Sequence, residues 1–153
     1  MKNKGLIIAG IITLVFIILG KKRALDSMEL KPGFPRKFQF IPLANVQFEL
    51  PIVAFNGSSG TLNIGSIDLR VYAENQYVGR AWTGANQKIY PNGQSELLTT
   101  VLVNLFDMAS AIPGFVEGIK DQTVTLRFTG NLNIEGFYKD VNIPVTFNLP
   151  KIK

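Results

Sequence analysis

The stretch "SIDLRVYA" at residues 66–73 alternates apolar and polar side chains without a break. Neighbouring side chains of an extended strand point to opposite faces, so the stretch predicts a β-strand with one buried face and one solvated face. The apolar face consists of Ile67, Leu69, Val71 and Ala73.

The same period of two recurs along most of the chain. It marks "QTVTLRFTGNLNIEG" (122–136) and "DVNIPVTFNL" (140–149), and "VQFELPIVAF" (46–55) and "SELLTTVLVNL" (95–105) are further strands. Clusters of Gly, Asn and Pro between these segments predict turns, while Pro51 and Pro144 predict edge positions or bulges. These patterns predict an all-β, antiparallel β-sandwich.

One segment has helical spacing instead. In "LFDMASAIPGFVEGIK" (105–120), Asp107 is the expected cap, and Pro113-Gly114 should kink or split the helix. The expected apolar face comprises Phe106, Ala109, Ile112, Val116 and Ile119. The sandwich is therefore expected to carry one short helix.

The order of these pieces resembles a known family. The hairpin "GSIDLRVYAENQYVGRAW" (65–82) is followed by the patterns "L-x-F-x-G-x-L" (126–132) and "I-P-V-x-F-x-L-P" (143–150). Together they resemble the LEA14-like (late embryogenesis abundant group 2) or WHy domain over about residues 38–150. The family usually has Asn-Pro after its first long strand, where this chain has Asn56-Gly57.

That resemblance implies a fibronectin-III/immunoglobulin-like sandwich without catalytic residues. It also implies an association with desiccation and stress tolerance, often behind an N-terminal membrane anchor or lipid signal. A sandwich of this kind serves many purposes, so the resemblance implies a fold more than a task.

The chain opens with "MKNKGLIIAGIITLVFIILGKKR" (1–23), an apolar run between two groups of cations. As a helix, Gly5 to Gly20 would reach about 24 Å, short of a ~30 Å hydrocarbon core, a deficit that snorkelling lysines can cover. The expected anchor residues are Leu6, Ile7, Ile8, Ile11, Ile12, Leu14, Val15, Phe16, Ile17, Ile18 and Leu19. The expected headgroup-flanking residues are Lys2, Lys4, Lys21, Lys22 and Arg23.

Two alternatives for this segment are a cleaved signal peptide and a buried core helix. Lys22 occupies the position two before Ala24, which spoils a small-x-small cleavage site, and the cationic cluster resists translocation. A helix that is apolar all round is hard to bury in so small a domain. We therefore expect a transmembrane anchor over 1–23, a linker over 24–37, the sandwich over 38–150 and a tail over 151–153, with the orientation in the membrane open.

The formal charge of +5 has a local origin. Five of the 16 Lys and Arg residues lie in residues 1–23, which leaves 11 cations against 11 Asp and Glu in the remainder. Because the remainder is neutral, composition does not favour a nucleic-acid partner.

The chain contains neither Cys nor His. This excludes disulfides, thiolate zinc sites, thiol nucleophiles and histidine acid–base chemistry. We expect no enzyme, no metal and no cofactor, because the carboxylates show no paired spacing either.

Three features of the body are candidate sites. Tyr77, Arg80 and Trp82 form a possible contact surface, with core packing as the alternative. Asp68 and Arg70 are expected to form a surface ion pair. The "NGSSG" loop (56–60) is expected to be a plain connection; an anion cradle or a glycosylation acceptor are its alternatives.

The expected function is that of a non-enzymatic structural or interaction protein, whose single-pass N-terminal anchor presents a sandwich at a membrane surface. One alternative is a virion protein that links an internal membrane to the capsid. The other is a protein of the bacterial envelope that binds an apolar ligand or protects against stress. The expected partners are the lipid bilayer and other proteins, among them a symmetric assembly or capsid shell, with no nucleic acid.

Overall fold

The computed structural model describes residues 28–57, 59–84, 87–112 and 123–148. Nine strands and one short helix make up this part of the chain, which we call the β-domain. In chain order they are β1 Glu29–Pro32, β2 Arg36–Ile41, β3 Asn45–Asn56, β4 Leu62–Ala73, β5 Gln76–Thr83, β6 Gln87–Ile89, β7 Gly93–Asn104, α1 Leu105–Ala111, β8 Thr123–Ile134 and β9 Phe137–Asn148.

All strand pairs are antiparallel and belong to one continuous path, β1-β3-β7-β5-β4-β8-β9. Two short strands lie off this path, since β2 pairs with β3 and β6 pairs with β4. The path curls until β1 comes close to β9, which makes the sheet nearly closed. The predicted all-β, antiparallel architecture with one short helix is confirmed, and its strands form a single curled sheet.

Alternation along the long strands fills the interior. Ile67, Leu69, Val71 and Ala73, the predicted apolar face of β4, are all buried. The inward residues of β8 and β9 meet them, and fully burying a Val, Leu or Ile side chain stabilises the fold by about 1.5–3 kcal/mol. The gap between Leu30, Ile52 and Leu97 in this core is too small to hold a water molecule.

Pro144 occupies a predicted edge position, whereas Pro51 lies on the interior strand β3, in a break between its two outer partners. Pro51 lies where the outer partner of β3 changes from β1 to β2, and its carbonyl accepts a hydrogen bond from the Gly33 N–H at 2.7 Å. The N and O atoms of a strand residue face the same side, so the missing N–H of Pro51 falls in this gap. Pro144 lies on β9, the last strand of the path.

The linker expected over residues 24–37 is wrong in its described part. Met28 is only 3% exposed and belongs to the core, while β1 and the start of β2 pair with β3. The Gly and Pro residues of this segment lie at the break between β1 and β2, and they do not mark a flexible linker. The core and the sheet of the β-domain therefore extend at least to Met28, ten residues before the predicted start of the sandwich.

The helix also differs from its prediction. Asn104, not Asp107, caps α1, because the Asn104 side chain accepts hydrogen bonds from the N–H groups of the first turn. Phe106 was expected in the core but is 70% exposed, whereas Met108 is fully buried. The predicted second half of the helix and its kink at Pro113-Gly114 lie outside the described residues.

The β-domain has two ends, set by its strand directions. The Met28 end holds the start of β1, the Asn56 end of β3 and the hairpin between β8 and β9. The α1 end holds the β2–β3 turn, the β4–β5 hairpin and the helix, whose Leu105 N–H donates to Ala44 O at 2.8 Å. Strands of this length separate the ends by about 40 Å at ~3.3 Å per residue.

Candidate interaction face

The predicted contact surface lies on the outside of the sheet, where β5, β4 and β8 run side by side. Arg80 on β5 stands opposite Arg70 on β4, which in turn stands opposite Thr129 on β8. One step along, Trp82 stands opposite Asp68. Two residues along β4 in the opposite direction, Tyr72 stands between Tyr77 on β5 and Arg127 on β8. We call this set of outward side chains the arginine face.

A β-bulge brings Tyr77 onto the same face as Arg80. In a regular strand, Tyr77 and Arg80 would lie on opposite faces because they are three residues apart. The β4–β5 pairing shifts between Val71 and Tyr72, which makes Val78 the extra residue of a bulge. Its side chain is buried in the core. The bulge requires glycine at position 79, because a Cβ there would collide with the Leu102 carbonyl and lie 2.9 Å from Val103 Cα.

Two of the arginines lie against aromatic rings. The Arg80 guanidinium is 5.0 Å from the centre of the Trp82 ring, and the Arg127 guanidinium is 5.8 Å from that of Tyr72. Tyr72 also makes an edge contact with Tyr77, at 6.0 Å between ring centres. These cation–π contacts hold two flat guanidinium groups over rings while their N–H edges face solvent.

The predicted ion pair between Asp68 and Arg70 is wrong. Both side chains occupy the outer face of β4, as predicted, but they do not come within 4.0 Å of each other. Residues two apart on a strand are separated by about 6.6 Å along it, and close pairs form across strands instead. The residue across from Arg70 on β5 is another arginine.

Near the start of β2, by contrast, cations are paired. At the β2–β3 edge, Arg36 contacts Glu49 at 3.2 Å and Glu96 at 2.9 Å, and Lys37 contacts Glu49 at 3.0 Å. The hydrogen bond from Lys37, and after it the one from Arg36, lowers the pKa of Glu49 below its ordinary value of 4.5. The hydrogen bond to Glu49 raises the pKa of Arg36.

A shallow polar depression of about 480 Å³ adjoins the arginine face. Its lining includes Asp68, Arg70 and Tyr72 of β4 and Thr129, Asn131 and Asn133 of β8. The Asn131 side-chain amide finds partners for both its oxygen and its nitrogen in one of its two orientations. In that orientation its nitrogen donates to the Asp140 carboxylate on β9. The depression can thus offer both donors and acceptors to a polar ligand.

The loop over 56–60 is structural at its first residue. Asn56 is only 1% exposed, and its amide nitrogen donates to Gly60 O at 2.9 Å and to Tyr90 O at 3.3 Å. A buried amide that closes its own loop is not presented to solvent as a glycosylation acceptor. The Asn56 side-chain amide instead donates to one carbonyl of this loop and to one of the β6–β7 connection.

The described residues contain neither a cluster of metal-ligating side chains nor a helix that could span a membrane. In 28–57, 59–84, 87–112 and 123–148, no three acidic side chains come together as a metal site. No helix in these ranges is both long and apolar enough to cross a bilayer. The predicted anchor over residues 1–23 lies outside the described residues.

Arg127 belongs to the arginine face but is not among the contact residues that the sequence predicts. Its place was readable, because Thr125, Arg127, Thr129 and Asn131 are the outward residues of an alternating strand. What the sequence does not contain is the register that sets Arg127 beside Tyr72 and diagonal to Arg70.

Comparison with solved structures shows the fold. A protein from Arabidopsis thaliana superposes with a TM-score of 0.59 at 13% identity, over 82% of this chain and 80% of that one. A protein from Archaeoglobus fulgidus gives 0.52 at 8% identity, over 82% and 100%. A third structure, described as a late embryogenesis abundant protein, gives 0.51 at 15% identity, over 95% and 82%. No protein-family model and no curated protein matches the sequence. At these identities the chain shares a fold with the three proteins, one of them of the late embryogenesis abundant type.

Proposed function

We propose that the chain is a non-enzymatic interaction module, whose β-domain is held at a membrane surface by residues 1–23 and meets a partner protein there. The observation that carries this proposal is the arginine face. Guanidinium groups and aromatic rings are enriched in protein-binding surfaces, and here they gather on a rigid sheet. The outward side chains of a packed sheet are well placed for recognition because their backbone is fixed.

The proposed anchor joins the β-domain over a short distance. Met28 is already buried, so residues 20–27 alone separate the apolar run from the core. Eight extended residues span at most about 28 Å, which would keep the Met28 end close to a bilayer. This supports a domain that works at the membrane surface.

The close packing around Leu30, Ile52 and Leu97 favours an interaction module over a carrier of apolar ligands at this place in the core. The gap lined by Leu30, Ile52 and Leu97 has no room even for water. A carrier of this fold would need a cavity of a few hundred Å³ between its inner faces.

We also propose that the chain is a distant member of the LEA14-like or WHy family, with a fibronectin-III/immunoglobulin-like sandwich. The shared fold and the patterns at 126–132 and 143–150 support this. If the chain belongs to this family, its proposed role is stress protection in an envelope. A role in a virion would be a different use of the same fold.

Photocrosslinking in the native membrane tests the proposed function. A photoreactive phenylalanine analogue replaces Tyr77, which is half-exposed on the arginine face, and in a control it replaces the exposed Phe34 beside β1. We expect a discrete protein adduct from position 77 and none from position 34. A symmetric shell protein in the adduct would favour the virion setting. No adduct from position 77 would contradict the proposal.

A further inference from the structure

We propose that the arginine face binds a short acidic segment of a partner protein. The choice of a protein over a lipid rests on the proposed function, because it depends on where the anchor lies. The observation behind it is a set of three guanidinium groups, those of Arg70, Arg80 and Arg127. None of the three comes within 4.0 Å of a carboxylate of the described residues.

Arg70 and Arg80 form the centre of the site. They stand directly opposite each other on β4 and β5, where Cβ atoms are about 4.5–5.5 Å apart. Like charges in this arrangement repel, and the repulsion disappears when an anion lies between them. A carboxylate accepts two parallel hydrogen bonds from each guanidinium fork, so one acidic side chain can bridge the pair.

Arg127 extends the site along the strands. It lies diagonal to Arg70 across β4 and β8, within about 7–8 Å for such neighbours. Its contact with Tyr72, like that of Arg80 with Trp82, fixes the guanidinium before a ligand arrives. Fixed donors lose less conformational freedom on binding, which favours a defined spacing of acidic groups.

The surroundings favour a short acidic segment over a nucleic acid. Asp68 stands one step along β4 from Arg70, and Asp140 flanks the depression on β9, so a long polyanion would meet repulsion there. An arginine already lies over one face of each of the Trp82 and Tyr72 rings, which reduces the ring surface available for stacking with bases.

The position of the site favours a protein over anionic lipid. Arg70 is eight residues along β4 from Leu62 at the Met28 end, which corresponds to about 26 Å at ~3.3 Å per residue. With the anchor at the Met28 end and the strands upright on the bilayer, the arginines would stand well beyond the ~8 Å Debye length from the headgroups. They would face a neighbouring protein beside the domain.

Titration of the full chain with defined probes tests the proposal. The protein is held in phosphatidylcholine nanodiscs, and its single tryptophan, Trp82, reports on the face directly. The probes are a short glycine–serine peptide carrying a run of glutamates, and the same peptide with glutamines. Oligo-thymidine and phosphatidylserine nanodiscs are the two competing occupants.

The matched variants remove the same charge from two places. R70Q/R80Q/R127Q acts on the arginine face, and K31Q/R36Q/K37Q acts on the β1–β2 edge, where the cations are paired. We expect saturable binding of the glutamate peptide alone, weakened about tenfold or more by the first triple variant and by added salt. The second triple variant should bind as the parent does, and the urea midpoints of both variants should show that they fold.

Several results would overturn the proposal. Equal binding of the glutamine peptide, or an equal loss in both triple variants, would mean that the arginines are not a specific site. Tighter arginine-dependent binding of oligo-thymidine or of phosphatidylserine membranes would assign the face to that occupant instead. Because the titration does not depend on crosslinking to a native partner, the acidic-segment proposal and the proposed function can fail separately.

Discussion

Replacing Thr99 by valine is expected to stabilise the β-domain. Thr99 lies on β7, fully buried opposite Leu50, and its hydroxyl has no hydrogen-bond partner in the described part of the chain. A buried hydroxyl without a partner costs about 1–3 kcal/mol, and valine has nearly the same shape with an apolar group in its place. We expect Thr99→Val to raise the free energy of unfolding by about 1–2 kcal/mol.

Thr83→Val is the matched control, since it makes the same chemical change on the adjacent strand β5. The Thr83 hydroxyl is bonded, because it donates to Leu98 O at 2.7 Å and contacts the Gln87 side-chain amide. Losing this hydrogen bond should lower the free energy of unfolding by about 1 kcal/mol. The two threonine variants should therefore move stability in opposite directions.

Urea unfolding of the full chain in detergent micelles measures both variants through the fluorescence of Trp82. With a slope of about 1–3 kcal/mol/M, the Thr99 variant should unfold at a urea midpoint higher by about 0.3–2 M. An unchanged or lower midpoint would refute the reasoning, and would mean that the Thr99 hydroxyl is satisfied, for instance by a buried water.

Three further predictions concern the bulge, the charged edge and the helix cap. Gly79→Ala should destabilise the domain by about 2–3 kcal/mol or more in the same urea assay, because its Cβ would strike Leu102; a neutral result would contradict the bulge geometry. The hydrogen bond from Lys37 is the main cause of the lowered pKa of Glu49. The ionised Glu49 carboxylate therefore stabilises the domain above pH 4.5, and this stabilisation is lost as the pH falls through the folded-state pKa. Acid titrations should accordingly show a smaller loss of stability below pH 4.5 for Glu49→Gln than for the parent, and equal losses would contradict the pairing. Asn104→Ala should cost about 1–2 kcal/mol by urea unfolding, because the side chain caps α1; no change would show that the cap is dispensable.

Alternation along the chain predicts the long strands well, for a physical reason. In β4 and β8 every inward position is aliphatic, aromatic or glycine, so only one assignment of faces buries the apolar side chains. The positions of the strand prolines follow from the same chemistry, because a residue without an N–H fits a strand where no partner needs it.

Long-range register is what the sequence leaves undetermined. The segment at 28–37 has too few apolar residues to mark two strands, and it becomes part of the sheet only because β3 offers it an open edge. The facing pair Arg70 and Arg80 likewise depends on a bulge at Val78 and on which strands are neighbours. The β1–β3 pairing joins parts of the chain at least 20 residues apart, and the Arg70–Arg80 pairing depends on a bulge, so local patterns reveal neither.

Membrane fractionation of the full chain tests the central proposal most directly, that residues 1–23 hold the β-domain at a bilayer. Membranes from expressing cells are washed with alkaline carbonate, with Leu14→Arg/Ile17→Arg as the control that interrupts the apolar run. We predict that the parent chain stays in the membrane pellet and that the double variant is released. Release of the parent chain into the supernatant would contradict the account.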